Sequence, residues 1–136
     1  MGFLRTMSRR ITVATVLLAL VLGGCGQGAS KLVNPIATSG SIKIEISRST
    51  VAEFNWQGDV EVQAISVSNF GPTGNVDRIL WGYRRISAKP PITYGTQISG
   101  GISLGVGDPA PLQSGVRYRV EAVRNNEASY ADWVVP

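Results

Sequence analysis

From Ser41 onward the chain alternates. Ile42, Ile44 and Ile46 take every second position, with Lys43, Glu45 and Ser47 between them; Ala52, Phe54 and Trp56 repeat the pattern around Glu53 and Asn55. A period of two sends one side of an extended strand into a core and the other into water, whereas a helix needs apolar residues three and four apart. Gln57-Gly58-Asp59 is turn chemistry. Val60 and Val62 share one parity and Ile65 and Val67 the other, so either a bulge lies near Gln63-Ala64 or both faces of this strand are covered. Gly71-Pro72-Thr73-Gly74-Asn75 marks a turn before Ile79 to Tyr83, and Lys89-Pro90-Pro91 ends pairing because proline has no N–H to donate. A short strand is predicted over Ile92 to Ile98, a loop or irregular edge over Gly100 to Gly107, and two last strands over Val116 to Val123 and Ser129 to Val135. About seven strands with turns between them, and no amphipathic helix, predict an all-β antiparallel sandwich.

Leu112-Gln113-Ser114-Gly115-Val116-Arg117-Tyr118 narrows this further. A leucine, a glycine three residues before a tyrosine, and then alternating Tyr118, Val120 and Ala122 resemble the tyrosine corner of the fibronectin type III family. That resemblance implies a buried Tyr118 ring whose hydroxyl bonds to backbone a few residues upstream. Trp56 stands where the family places a core tryptophan, and Leu112 and Gly115 shape the corner. Val120 occupies the place of an immunoglobulin cysteine, which favours the fibronectin-like branch. The family's tyrosine-bearing third strand is not evident in residues 60–69, so strand order stays open.

The start of the chain is different in kind. Arg5, Arg9 and Arg10 precede an apolar run, Ile11 to Leu22, broken only by Thr12 and Thr15. The run is shorter than the roughly 20 apolar residues that span a bilayer and fits the apolar region of a signal peptide. Leu22-Gly23-Gly24-Cys25 then resembles the lipobox of bacterial lipoproteins. The resemblance implies cleavage between Gly24 and Cys25 and acylation of Cys25. It also implies a bacterial cell envelope, and Gly26, which is not the aspartate of inner-membrane members, points to the outer membrane where one exists. Two other patterns compete. Met1-Gly2 with Thr6 matches N-myristoylation, although Met7 is an equal start, and Ser8-Arg9-Arg10 approaches a twin-arginine signal but has Thr12 and Val13 where that motif has bulky apolar residues. The expected organisation is a signal peptide over 1–24, a lipidated Cys25 with a flexible tether over 25–40, and a sandwich domain over 41–136. In that tether Leu32, Val33 and Ile36 could instead dock as a leading strand.

Charge and composition exclude more than they assign. The chain has 13 Lys and Arg against 9 Asp and Glu, but without the three signal-peptide arginines the count is 10 to 9. The basic excess therefore gives no reason to expect nucleic acid. There is no histidine, which removes His-based triads, dyads and general acid–base chemistry, along with most zinc and haem sites. A single cysteine allows no internal disulfide.

Each remaining constellation has a structural reading. Trp81, Tyr83, Tyr94, Tyr130 and Trp133 are core aromatics before they are a sugar platform, with Ile79, Trp81 and Tyr83 expected on one face. Arg117 and Arg119 with Glu121 form a solvated sheet face before an anion site. Gly105-Val106-Gly107 lacks the residues of a phosphate loop. Glu61, Asp59 and Asp132 have no calcium-loop spacing, and Ser41 with Lys43 or Ser87 with Lys89 are short pairs that arise by chance. No catalytic residue, metal or cofactor is expected. The reading is a membrane-anchored, non-catalytic module that binds another envelope protein or a glycan. Its expected contacts are the Gly71–Asn75 turn, residues 90–107 and an exposed edge strand. The alternative is a small carboxylate-dependent hydrolase or an accessory subunit of an envelope enzyme.

Overall fold

The alternating segments become strands, and their apolar sides meet. The computed structural model describes residues 31–48 and 51–136; Gly24 and Cys25, and with them the cleavage and lipid sites, lie outside these residues. Ten strands occur among them and no helix: β1 (Lys31–Val33), β2 (Ala37–Ser39), β3 (Glu45–Arg48), β4 (Ala52–Asn55), β5 (Val62–Phe70), β6 (Val76–Ala88), β7 (Ile92–Thr93), β8 (Ile102–Ser103), β9 (Arg117–Arg124) and β10 (Glu127–Val134). They form two antiparallel sheets, ordered β1-β3-β4-β7 and β2-β10-β9-β5-β6-β8. The sheets pack together as a β-sandwich, and the core lies between them: Ile42, Ile44, Ile46, Phe54 and Trp56 from one side, and Ile65, Val67, Val120, Ala122 and Trp133 from the other. Period-two burial therefore holds from Ile42, although ladder pairing of that segment starts only at Glu45.

Three expectations are corrected. Residues 31–39 belong to the sandwich, in keeping with the alternative that Leu32, Val33 and Ile36 dock as a leading strand, and not to a tether. Val33 pairs with Ile46, Thr38 pairs with Ala131, and the Ile36 amide donates to the Asp132 carbonyl at 2.8 Å. Between these two strands, at Asn34-Pro35, the chain passes from one sheet to the other. Three-residue strands are too short to show a period, so composition alone made them look like linker. The strand expected over Ile92 to Ile98 shrinks to Ile92–Thr93, continued by one bond from the Tyr94 amide to the Ala52 carbonyl. Finally, Ile79 and Trp81 do not share a face. The register moves one residue on β5, Val67 to Ser68, but two on β6, Trp81 to Ile79. This bulge leaves Ile79 at 38% exposure and Trp81 at 4%.

The parity change in β5 also coincides with an irregularity, between Val62↔Ala88 and Ala64↔Arg84. The extra residues are on β6, where Arg85 has a φ of 57°. The Gly71–Asn75 turn closes β5 onto β6 through Gly71 N–H to Asn75 O at 2.8 Å and Gly74 N–H to Gly71 O at 3.0 Å. Asn125 and Asn126, with φ of 50° and 62°, close β9 onto β10.

Candidate binding surfaces

The corner at Tyr118 fixes one end of the molecule. Tyr118 is buried, and its hydroxyl accepts the Gln113 amide, five residues upstream, at 2.9 Å. Gly115, with a φ of 76° that suits a residue without Cβ, turns the chain into β9 and donates its amide to Val135 O at 2.8 Å. Leu112 packs partly buried against the core. Trp56 is buried at the opposite end of the β3–β4 hairpin from the turn, and its indole N–H donates to Val60 O at 2.8 Å. Trp133 sits between Phe54 and Tyr118, at ring-centroid distances of 5.7 and 5.8 Å. Its indole N–H finds no partner among the described residues, so packing outweighs a lost hydrogen bond there.

Of the five aromatics that could form a platform, Trp81, Tyr94 and Trp133 are buried and Tyr83 and Tyr130 half-buried. Trp81 meets Tyr83 and Tyr94 edge to face at 6.0 and 5.6 Å. The Tyr94 hydroxyl donates to Ala110 O at 2.7 Å, and burial pushes its pKa up to about 12.

The outer face of β9 and β10 holds a cluster that alternation does not announce. Asp132 is fully buried, yet it points away from the apolar core. Arg119, its register partner, donates from Nε to Oδ1 at 2.6 Å and from Nη2 to Oδ2 at 3.0 Å; Arg117 Nη2 reaches Oδ2 at 2.7 Å. The guanidiniums lie over rings, Arg119 at 3.7 Å from the Tyr130 centroid and Arg117 at 4.2 Å from that of Phe70. Burial alone would raise the Asp132 pKa, but the arginine hydrogen bonds and charges outweigh it and hold the carboxyl below its ordinary value. The solvated face expected for Arg117 and Arg119 is therefore an ion-pair cluster. Parity outward from Trp133 would have placed Asp132 opposite Arg119, given the register.

The other acidic candidates are dispersed. Asp59 pairs with Lys89 at 2.7 Å, and Glu61 accepts from the Ser87 hydroxyl. The hydrogen bond and charge of Asp59 raise the Lys89 pKa, the opposite of what a base in a Ser–Lys pair needs. Among the described residues no three His, Cys, Asp or Glu side chains gather as a metal site.

Two concave surfaces among the described residues carry an apolar lining next to charged side chains. The first follows β6, whose outer edge pairs with β8 only at Tyr83↔Ser103 and Arg84↔Ile102. Beyond that pairing, Ile79 and Leu80 face Leu104 and Val106 across a cleft of about 490 Å³, with Asp77, Arg78 and Asp108 around it. Val106 is completely exposed. The second, about 430 Å³, lies beside β4 and β7, where Val51, Tyr94, Pro109, Pro111 and Leu112 line an apolar groove next to Arg48. No family model, no curated protein and no solved structure matches the chain.

Proposed function

We propose that this chain is a lipid-anchored protein of the bacterial envelope whose sandwich binds a partner without turning it over. The anchor rests on the lipobox resemblance at Leu22-Gly23-Gly24-Cys25. A fibronectin-like type is supported by the Tyr118 corner and by the division of seven strands into β3-β4-β7 and β10-β9-β5-β6, with β1 and β2 added to the two sheets on the same side of the sandwich and β8 beside β6. The observation that carries the binding role is the cleft along β6. An apolar strip with a fully exposed valine and charges at its rim is the composition of an interaction surface. It takes in part of the 90–107 segment, at Leu104 and Val106, and none of the 71–75 turn. The hydrolase alternative would rest on Asp77 and Asp108 at the cleft, because Asp132, Asp59 and Glu61 are each engaged by another side chain.

The partner that fits is another envelope protein, with an apolar side chain for the cleft and polar groups for Asp77, Arg78 and Asp108. Val106→Asp changes a fully exposed position and should leave the unfolding midpoint nearly unchanged, while Ile79→Asp, in a paired strand, should cost about 1 kcal/mol and stay folded. Both should lower the yield of crosslinked partner in intact cells. A yield equal to wild type for both variants would remove the cleft from the account, and hydrolysis of an envelope substrate lost on replacing one carboxylate would replace binding with catalysis.

A further inference from the structure

The first strand among the described residues begins at Lys31, six residues after Cys25. Six residues reach at most about 20 Å when fully extended. On the lipid-anchor reading, on which this inference rests, the end of the sandwich that carries Lys31 is therefore held close to the bilayer. Strand pairing identifies that end. Lys31 is paired with Arg48, which terminates β3, and the Arg48 guanidinium donates to Pro136 O at 3.1 Å. The same end thus holds Lys31, the β3–β4 turn with Val51, the close of β10 with Val134 and, through Asn69↔Tyr118 and Phe70↔Val76, the 71–75 turn with Asp77 beside it.

The two ends of the sandwich differ in chemistry. At the Lys31 end, Leu32 is 75% exposed, Val51 45% and Val134 40%, beside the cations Lys31 and Arg48. The apolar groove bordered by Val51 and Pro111 opens there too. At the other end, residues 56–59, 89–90 and 124–128 expose no large hydrophobic side chain. Exposed apolar side chains next to cations are what a headgroup region with anionic lipid accommodates.

We propose that the Lys31 end of the sandwich rests on the bilayer, with Leu32 and Val51 at the acyl boundary and Lys31 and Arg48 against lipid phosphates. The anchor then sets orientation as well as location. The domain does not swing freely, and the cleft along β6 is held at a defined height above the membrane.

The chain has one cysteine, so a second introduced into the acylated protein is the sole thiol available for labelling. Mature membrane-extracted Leu32→Cys, Val51→Cys and Gln57→Cys chains, each carrying a polarity-sensitive fluorophore, are reconstituted in phosphatidylethanolamine–phosphatidylglycerol vesicles and floated. Labels at 32 and 51 should shift to the blue and be quenched by nitroxide lipids, while the label at 57, at the far end, should report water. Lys31→Gln should reduce the ratio of docked to free domain about fivefold on these vesicles and leave it unchanged on phosphatidylcholine alone. Protein that floats with all three labels in water, or with 57 quenched, overturns the orientation and leaves the anchor standing. Protein with an unmodified Cys25 that fails to float overturns both. Lys31→Gln quenching equal to wild type overturns the phosphate contact.

Discussion

Asp132 and Tyr118 are two buried side chains whose polar groups are tied to distant parts of the sandwich. The Asp132 carboxyl uses both oxygens on Arg117 and Arg119. Asp132→Asn removes the negative charge and leaves the two guanidiniums facing a neutral amide. The expected loss is about 2–4 kcal/mol in urea, on the lower side of the range for breaking a buried pair because Arg117 is 41% exposed. The pH dependence follows from the lowered pKa. Asp132 contributes stability above its unfolded pKa, near 4, and that contribution disappears as pH falls through its lower folded value. Urea midpoints should therefore fall more steeply below pH 4 in the wild type than in Asp132→Asn; parallel curves would contradict this. Tyr118→Phe keeps the ring and strands the Gln113 amide. It should cost about 1–3 kcal/mol, read as a lower denaturant midpoint, and an unchanged midpoint would mean that water replaces the hydroxyl freely.

At the level of elements, close backbone approach decides which strands tolerate change. Gly82 faces Ser66 across the β5–β6 ladder, and a Cβ there would lie 2.5 Å from Ile65 O and 2.8 Å from Ser66 Cα. Gly82→Ala must part the two strands, at about 1–3 kcal/mol or more, and hydrogen exchange should speed up along β5 and β6 first. In the β9–β10 hairpin, Asn125 and Asn126 both have positive φ, the conformation of a two-residue type I′ turn. Asn126→Gly should preserve or raise the melting temperature, while Asn125→Val should lower it by the equivalent of about 1–2 kcal/mol. A tolerated valine would show that this turn relaxes to another type.

Those elements also show where sequence was a sufficient guide. Runs of alternation such as Ile42-Ile44-Ile46 and Tyr118-Val120-Ala122 are legible because core and solvent impose opposite chemistry on the two faces of a strand. The turn at residues 71–75 was legible from its glycines and proline. β1 was legible only as an alternative to a tether, β8 only as an irregular edge, and β2 not at all, since two or three residues carry no period and their pairing is decided by the edge they meet. The Arg117–Arg119–Asp132 cluster was only half legible. The arginines announced a polar face, but their carboxylate lies 13 and 15 residues away and joins them through register. The cleft along β6 depends on a bulge and on the path of residues 104–108, and neither has a signature in the residues.

For the molecule as a whole, the parts fit one arrangement. Described strands reach back to Lys31, six residues after Cys25. The more apolar end lies there, and the cleft along β6 begins at that end, at Asp77, and runs up the side of the sandwich. The arrangement depends on processing at Cys25, and the intact mass of the protein extracted from bacterial membranes tests that directly. The account predicts a chain that begins at Cys25 and carries more than one acyl group, since a single chain holds a protein only marginally. A membrane-bound chain that retains residues 1–24, or begins at Cys25 without acylation, would contradict it.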